Sequence, residues 1–427
     1  MNFLDTSRQV TVLGAGMVGV SCALALQAKG WRVTLVDKRD AGEETSAGNA
    51  GVLSRSSLLP FNRPGLWQSL PRMLLKPGPS LQVRPSALAH FDFMWRFLWQ
   101  ARRQSFDVTT MALDGLIQLS GQTHKAWLTQ SAAQHRLREN GWLWLFQNDA
   151  AWQGSAFSRD VLKDFSVACE ALHGRDIQSL EPHLSSQFQH ALWIKDAASV
   201  DNPSAVVKAY AEQFVKQGGV FQMSEARTLQ KQPQGWQWLD ASGSPHWAPN
   251  LVLAMGPWSQ SLLKVSQLPS DFNAHMAFER GYHRHFKPVA GVTLQRPVYD
   301  TAGAYVLSPM VNEAGEPVLR MTTGVELAGR DAAPNLQQLE AAENAVRRAL
   351  PLKEAVVNSD WLGARPTTPD SRPVIGEMPK CPGLWLAFGH QHIGFSTGPG
   401  TGVLLAELMA GESTSINPEP FSPQRFS

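Results

Sequence analysis

Apolar and glycine residues occur in blocks at the start of the chain, and these blocks predict a strand, a helix and a second strand. "VTVL" (10–13) is a short apolar run typical of a buried strand. An Ala- and Leu-rich stretch follows, is typical of a helix, and ends at Gly30. "RVTLVD" (32–37) then indicates a second strand. This order predicts a nucleotide-binding α/β unit.

The later pattern mixes helices and strands. Asn202 is placed to cap a helix, Pro203 fits its first turn, and a glycine pair closes it. Residues 291–300 and 304–310 favour strands, whereas residues 335–350 have helical spacing. Strands and helices are therefore both expected in the middle of the chain.

We interpret this mixture as an α/β protein with two domains. A Rossmann-like cofactor domain of the glutathione-reductase-like type would be interrupted by an α+β substrate domain built on an antiparallel sheet. The cofactor domain would comprise residues 1–57, 196–275 and 355–427. Residues 58–195 and 276–354 would form most of the substrate or cap domain.

Three glycines between the first strand and the first helix have the spacing G-x-G-x-x-G. Gly14 permits a tight turn, Gly16 lets the backbone approach a pyrophosphate, and Gly19 lets the helix pack closely on the strand. Asp37, at the end of the second strand, can accept hydrogen bonds from a ribose, which favours FAD or NAD over NADP. The basic Lys38 beside it weakens that exclusion slightly. A glycine-rich turn without a ligand is the alternative.

The segment "TSAGNAGVLS" (45–54) is dense in small residues around Asn49. Small side chains let a chain run close to a flat ring system, whose edges the exposed amides can bind. A plain surface loop is the alternative interpretation of this composition.

With these two segments the sequence resembles the glycine oxidase and D-amino-acid dehydrogenase group of FAD-dependent amino-acid oxidoreductases. Further segments resemble the same group in the same order along nearly the whole chain: "DNPSAVVKAYAEQFVKQGG" (201–219), "LVLAMGPWSQSLL" (251–263), "RGYHRHF" (280–286), "TTGVELAGRDAAPN" (322–335), "GARPTTPDSRPVIG" (363–376) and "GLWLAFGHQHIGFSTGPGTG" (383–402). The resemblance implies a FAD-dependent enzyme.

The resemblance and the fingerprint together give the expected cofactor site. Its expected residues are Gly14, Ala15, Gly16, Met17, Val18, Gly19, Asp37, Lys38, Ser46, Gly48, Asn49, Ala50, Gly51, Ala226, Gly256, Trp258, Gly363, Gly389, Gly394, Phe395, Ser396 and Thr397. The last of these lead into a helix predicted at 401–411, whose N-terminal amides and dipole can stabilise negative charge on the reduced flavin. Because residues 390–402 contain no cysteine, we expect FAD to be bound non-covalently.

Arg365 is the first candidate for substrate binding. It precedes a proline that fixes the backbone, and a guanidinium in a dry pocket can hold a carboxylate through two parallel hydrogen bonds. In the family the matching arginine holds the amino-acid carboxylate. A structural arginine paired with Asp370 or Glu377 is the alternative.

Two tyrosines and a histidine are further candidates. Tyr305 matches a tyrosine that supports the arginine in glycine oxidase, and Tyr282 could offer a hydroxyl and a ring wall in the same way. Either residue could instead belong to the core. His392 is a candidate pocket residue, although a hydrogen-bonded loop histidine is equally compatible with the sequence.

The resemblance implies oxidation of an amino acid with a free carboxylate. Hydride would leave Cα for flavin N5, so orientation is the main contribution of the protein. We expect a D-amino acid or an imino acid of the D-proline type as substrate, and quinone or a respiratory chain as acceptor. An oxygen-dependent oxidase of glycine or sarcosine type, and a flavin-binding subunit without turnover, are the alternatives.

Composition narrows the location and the partners. The formal net charge of the 427 residues is only +2, which gives no bias towards nucleic acid. Three distant cysteines, Cys22, Cys169 and Cys381, argue against a disulfide framework. The sequence shows no signal peptide and no apolar run that could span a membrane. These features favour a cytoplasmic protein.

Residues 58–105 differ from the rest of the chain. They hold seven Lys or Arg residues against one acid, Asp92, with aromatic residues interleaved. In residues 90–104 the polar stripe is so narrow that a helix there should bury much of its surface. A cap over the active site explains this pattern, and so does contact with the inner face of the cytoplasmic membrane.

Two histidine pairs, 283/285 and 390/392, raise the possibility of a metal site. Neither pair has an acidic or thiol ligand at metal-like spacing, and a flavin enzyme of this type needs no metal. We therefore predict none.

Overall fold

The computed structural model describes residues 8–67, 81–86 and 91–427. Its helices are α1 (Met17–Ala28), α2 (Phe91–Trp99), α3 (Arg103–Gln130), α4 (Asp149–Gly154), α5 (Ala156–Asp164), α6 (Arg175–Leu180), α7 (Pro203–Lys216), α8 (Ser259–Ser266), α9 (Gln337–Ala349) and α10 (Gly394–Ala410). Its strands are β1 (Gln9–Leu13), β2 (Arg32–Asp37), β3 (Val52–Leu53), β4 (Leu81–Val83), β5 (Leu137–Arg138), β6 (Trp142–Phe146), β7 (Cys169–His173), β8 (His190–Ile194), β9 (Ala198–Val200), β10 (Val220–Met223), β11 (Thr228–Gln232), β12 (Gly235–Leu239), β13 (Pro245–Ala248), β14 (Leu251–Leu253), β15 (Ala277–Pro288), β16 (Val298–Asp300), β17 (Tyr305–Val311), β18 (Pro317–Thr323), β19 (Val325–Leu327), β20 (Leu352–Ala355), β21 (Trp361–Thr367), β22 (Val374–Glu377) and β23 (Leu384–Phe388).

A six-stranded sheet carries the N-terminal fingerprint. Its order is β10-β2-β1-β14-β23-β22, and all its pairs are parallel except β22 with β23. Buried residues of α1, α7 and α10 cover one face, and the three-stranded sheet β11–β13 contributes Trp236 and Trp238 to the core on the other. The predicted Rossmann-like fold is confirmed, because parallel strands buried on both faces are its defining arrangement.

Close packing of α10 on α1 and α3 explains the small residues of "GFSTGPGTG". A Cβ on Gly398 would press on Met17, one on Gly400 would press on Ser120, and one on Gly402 would meet the backbone of Ser21. The helix begins at Gly394, seven residues before the predicted start, because these contacts stabilise a glycine-rich segment that propensity alone disfavours.

A second, eleven-stranded sheet is mainly antiparallel. Its path is β4-β19-β15-β18-β17-β16-β6-β8-β7, with β20 and β21 also paired to β15. Helix α9 packs on one face through Leu339 and Val346. The strand predicted over 291–300 is restricted to its last three residues, whereas the strand that includes Tyr305 and the helix over 337–349 form as predicted.

The chain segments alternate between the two large sheets. The six-stranded sheet draws its strands from residues 9–37, 220–253 and 374–388, and the strands of the larger sheet come from residues 81–194 and 277–367. Within the described residues, no helix is both long and apolar enough to cross a membrane.

Candidate active site

One cavity of about 1120 Å³ lies between the two large sheets. The carboxyl ends of β1, β2, β14 and β23 open into it, which is where ligands bind in open α/β sheets. Most predicted residues line it: Gly14, Gly16, Met17, Val18, Asp37, Lys38, Ser46, Gly48, Asn49, Ala50, Ala226, Gly256, Trp258, Tyr305, Arg365, His392, Gly394, Phe395 and Ser396. The structure therefore brings together segments that are far apart in sequence.

Seven predicted residues lie away from the cavity wall: Ala15, Gly19, Gly51, Tyr282, Gly363, Gly389 and Thr397. Several of them support residues that do line it. Thr397 donates a hydrogen bond to the Ile393 carbonyl at the start of α10 (2.8 Å), and Gly389 has the positive φ (+85°) that turns the chain after β23.

The glycine turn after β1 has the geometry that a pyrophosphate site requires. Gly14 has φ +107°, and a Cβ on Gly19 would collide with the Gly14 carbonyl. The Asp37 carboxylate accepts a hydrogen bond from the Ala15 amide (2.7 Å), which ties the end of β2 to the turn. Burial raises the pKa of Asp37, while this amide and that of Arg39 oppose the rise.

The small-residue segment 45–51 runs along the cavity and is held from both sides. Ser46 Oγ accepts from the Met17 amide (3.0 Å), at the start of α1. The buried guanidinium of Arg320 donates to the carbonyls of Ala47 (2.7 Å) and Asn49 (2.8 Å). The backbone of this segment is therefore fixed before any ligand binds.

Two glycines make room for the Trp361 ring. A Cβ on either Gly48 or Gly363 would overlap it, and the ring also stacks on His283 with centroids 5.0 Å apart. Gly363 thus acts through Trp361, which is itself in the cavity wall.

Residues that follow strands of the six-stranded sheet also help to form the cavity wall. The Lys38 ammonium lies 4.6 Å from the centre of the Trp258 ring, so a cation–π contact joins β2 to the segment after β14. Gly394, Phe395 and Ser396 form the first turn of α10 and line the cavity, so the positive end of the helix dipole lies at the cavity wall.

Arg365, on β21, lines the same cavity. Its guanidinium lies across Gly281 of β15, where a Cβ would overlap it. It makes no hydrogen bond and no ion pair within 4 Å with any described residue. Asp370 instead pairs with Arg372 and Arg425, and Glu377 accepts from the Gly383 amide, so the pairing considered as an alternative for Arg365 is wrong.

Glu279 is a site residue that the sequence interpretation missed. It is the direct cross-strand neighbour of Arg365, lies in the cavity wall and is 3% exposed. Burial raises its pKa to about 7, against the opposing effects of Arg365 and the Thr367 hydroxyl. Period-two alternation in "AFERGYHRHF" puts Glu279 and Gly281 on one face, and this signal could have found it.

The two candidate tyrosines, Tyr305 on β17 and Tyr282 on β15, have different surroundings. Tyr305 lines the cavity, and burial followed by the Asp300 carboxylate raises its pKa well above the usual value. Tyr282 faces the opposite side of β15, where its hydroxyl donates to Glu326 (3.0 Å) and accepts from the Asn335 amide (2.8 Å). Tyr282 is therefore positioned as a core residue.

His390 and His392 have different surroundings. Both line the cavity, but His390 Nε2 bonds the Thr401 hydroxyl (2.9 Å), whereas the His392 ring lies 4.7 Å from that of Phe61. Burial lowers the pKa of each to about 3, and the charge of Arg365 adds to the effect at His392. Both rings are neutral at physiological pH.

The rings of the histidine pair His283 and His285 stack on each other, with their centroids 5.0 Å apart. Arg320 Nε donates to His285 Nε2 (2.8 Å). Across the described parts of the chain, no group of three or more His, Cys, Asp or Glu residues has a metal-binding arrangement.

Helix α2 lies over the outer end of the cavity. Phe93, Met94, Phe97 and Leu98 face inwards, and only Phe93 is fully buried. On the other side Phe91 is 73%, Trp95 53% and Trp99 49% exposed. The expectation that this helix buries much of its surface therefore holds on the cavity side, whereas three aromatic residues of the other side keep about half or more of their surface exposed among the described residues. Arg72 and Lys76 of the basic segment lie outside the described residues.

Comparison with known proteins decides the family. The model of the family of FAD-dependent oxidoreductases matches residues 9–408. The chain belongs to this family. As a member of it, the protein uses FAD, and the cavity fits that cofactor: the turn at Gly14 and Gly19 leaves no room for a Cβ, and the N-terminal turn of α10 lines the cavity.

Full-length relatives of this FAD-dependent oxidoreductase carry related names. The chain is 28% identical to a D-amino-acid oxidase of Bradyrhizobium diazoefficiens, with 99% of this chain and 100% of the relative aligned. It is 27% identical to a D-amino acid dehydrogenase of Chromohalobacter salexigens, over 98% and 99% of the two chains.

Solved structures of lower identity share the fold. Glycine oxidase from Geobacillus kaustophilus superposes with a TM-score of 0.72 at 19% identity, covering 98% of this chain and 99% of that one. L-proline dehydrogenase from P. horikoshii superposes with a TM-score of 0.71 at 16% identity, covering 99% and 98%.

Proposed function

We propose that this protein oxidises a D-amino acid, or an imino acid of the D-proline type, with Arg365 as the anchor of the substrate carboxylate. The observation that carries the proposal is the Arg365 guanidinium, which lies in the cavity wall without a hydrogen bond or ion pair to any described residue. A cation in a cavity wall that has, among the described residues, no hydrogen-bond partner and only the Glu279 carboxyl as a charged neighbour is costly, so its presence favours an anionic ligand. The names of the two full-length relatives support a D-amino acid.

The remaining wall supports orientation rather than acid–base chemistry. The neutral His392 lies near Arg365, and the aromatic residues Tyr305, Trp144 and Tyr299 line the same cavity. FAD, when bound, would accept the two electrons as a hydride from the substrate Cα. The chain would hold the carboxylate on Arg365, enclose the side chain in the aromatic wall, and exclude water. Apolar D-amino acids should fit this wall best.

Anaerobic reduction of the flavin tests the proposal. The purified yellow protein is mixed with a panel of D- and L-amino acids, including both prolines, and the loss of flavin absorbance is followed. We expect apolar D-amino acids or D-proline to bleach it fastest. Faster bleaching by L-enantiomers would overturn the assigned stereochemistry, and no bleaching by any member would overturn amino-acid oxidation.

We further propose that electrons pass to quinone at the inner face of the cytoplasmic membrane. The supporting feature is α2, which lies over the cavity and carries an exposed aromatic side that faces away from it and is flanked by Arg96, Arg102 and Arg103. Basic residues beside Trp and Phe are typical of a membrane interface.

Charge reversal at Arg96, Arg102 and Arg103 tests this contact. The change should abolish sedimentation with anionic vesicles while leaving turnover with a soluble acceptor intact. Oxygen is the alternative acceptor, supported by the relative named as an oxidase. Rapid peroxide formation in air, with no turnover on a soluble quinone, would favour oxygen and contradict the quinone proposal.

A further inference from the structure

Glu279 and Arg365 form a pair of opposite charges side by side in the cavity wall. Strands β15 and β21 pair in antiparallel register, with Glu279 opposite Arg365 and Gly281 opposite Gly363. Residues directly opposite each other on paired strands point to the same face of the sheet. The side chains of Glu279 and Arg365 are therefore both on the cavity side. An α-amino acid also carries two groups of opposite charge, both attached to one carbon.

The carboxyl group of Glu279 has an unused acceptor. Its Oε2 is fully buried and makes no hydrogen bond with the described residues, although the side chain lies in the cavity wall. A buried polar atom of this kind is rare and calls for a partner. Since the atom is an acceptor at the edge of a substrate cavity, a donor on the substrate can satisfy it.

We propose that Glu279 binds the amino group of the substrate and accepts a proton from it. This inference rests on the proposed function, because it needs Arg365 to hold the carboxylate. A proton passes from the ammonium nitrogen to Oε2 of Glu279, which leaves the amine with its lone pair and the glutamic acid neutral. Amino groups are largely protonated near neutral pH, and the amine must be uncharged before Cα can lose hydride.

The surroundings of Glu279 suit a proton acceptor. Arg365 is the charged group that faces it from β21, Thr367 of the same strand offers a hydroxyl, and Leu327 is its neighbour on β19. His392, from the loop before α10, lies near Arg365 and is neutral. Burial raises the pKa of Glu279 to about 7, so the group can both take and release a proton at physiological pH.

The variant Glu279→Gln tests the proposal against a purely structural role. The matched control is Glu354→Gln, which neutralises an exposed glutamate on β20, another strand paired with β15. Each protein is titrated with the best amino acid and with the amine-free carboxylic acid of the same side chain. Flavin absorbance reports binding of both.

We expect Glu279→Gln to weaken the amino acid at least tenfold and to leave the amine-free acid bound equally well or more tightly. In wild type, kcat/KM should rise with pH on a limb near pH 7, and this limb should disappear in the variant. Equal losses for both ligands, or an unchanged pH profile, would overturn the proposal.

A second variant covers the case in which Glu279→Gln does not fold. Thr367→Val removes a hydroxyl that lowers the pKa of Glu279, so it should move the limb to higher pH. An unmoved limb would contradict the role of Glu279. If no amino acid reduces the wild-type flavin, the proposed function has failed rather than the assignment of this residue.

Discussion

Replacing Arg365 by leucine is the most direct perturbation of the proposed anchor. Leucine keeps bulk near the backbone but has no atoms where the guanidinium lies over Gly281, so it removes both the positive charge and the planar fork. Removing one partner of a buried charge pair costs about 2–5 kcal/mol. At 1.36 kcal/mol for each factor of ten, this corresponds to a loss of about 30-fold to several thousand-fold in kcat/KM.

The loss of kcat/KM caused by Arg365→Leu should lie near the middle of that range. Arg365 has Glu279 beside it, so loss of the cation also leaves a carboxylate facing the anionic end of the substrate. Two charge-assisted hydrogen bonds are worth about 1.5–3 kcal/mol each, and solvent entry into the cavity would recover part of the loss. We therefore expect about 3 kcal/mol, or roughly 150-fold.

The assay measures kcat/KM with a soluble electron acceptor, together with FAD content and melting temperature. Arg284→Leu is the matched control, because Arg284 lies on β15 but pairs with Glu343 and Asp360 outside the cavity. Arg365→Lys should recover part of the loss, since it keeps the charge without the fork. A loss below threefold in an Arg365→Leu protein that retains FAD and its melting temperature would refute the anchor.

Three further predictions concern the glycine turn after β1, Gly281 beneath the Arg365 guanidinium, and the stability of the protein in acid. Gly19→Ala should yield protein without FAD, because the new Cβ collides with the Gly14 carbonyl, whereas Gly121→Ala meets open space in α3 and should raise the melting temperature. Gly281→Ala should displace the Arg365 guanidinium and raise KM more than tenfold while FAD content, read from absorbance, stays unchanged. Burial lowers the pKa of His124 to about 4, below its unfolded value of 6.5. As pH falls from 6.5 towards 4, only the unfolded state gains a proton on this residue, so the free energy of unfolding decreases; above pH 6.5 His124 causes no such loss. Between pH 7.5 and 5.5, thermal melts should show a decrease of about 1.4 kcal/mol in the free energy of unfolding that is due to His124. This part of the decrease should be absent in His124→Gln, and an equal decrease in the variant would contradict the prediction.

The sequence by itself determined the features that depend on a few neighbouring residues. The turn at Gly14 and Gly19 follows from steric limits over six positions, and the cap of α7 follows from Asn202, whose side chain accepts from the Ala205 amide (3.0 Å). The position of Arg365 in the cavity also agrees with the resemblance that the motifs carried.

Tertiary structure decided which side chains meet. The phase of β15 relative to the cavity places Glu279 in the wall and Tyr282 in the core, and only the pairing of β15 with β21 sets that phase. The early start of α10 depends on helices distant in sequence, and the exposed side of α2 depends on the absence of a covering element among the described residues. Local propensities act over a few residues, whereas register and packing are fixed by contacts between segments far apart in the chain, so no short pattern contains them.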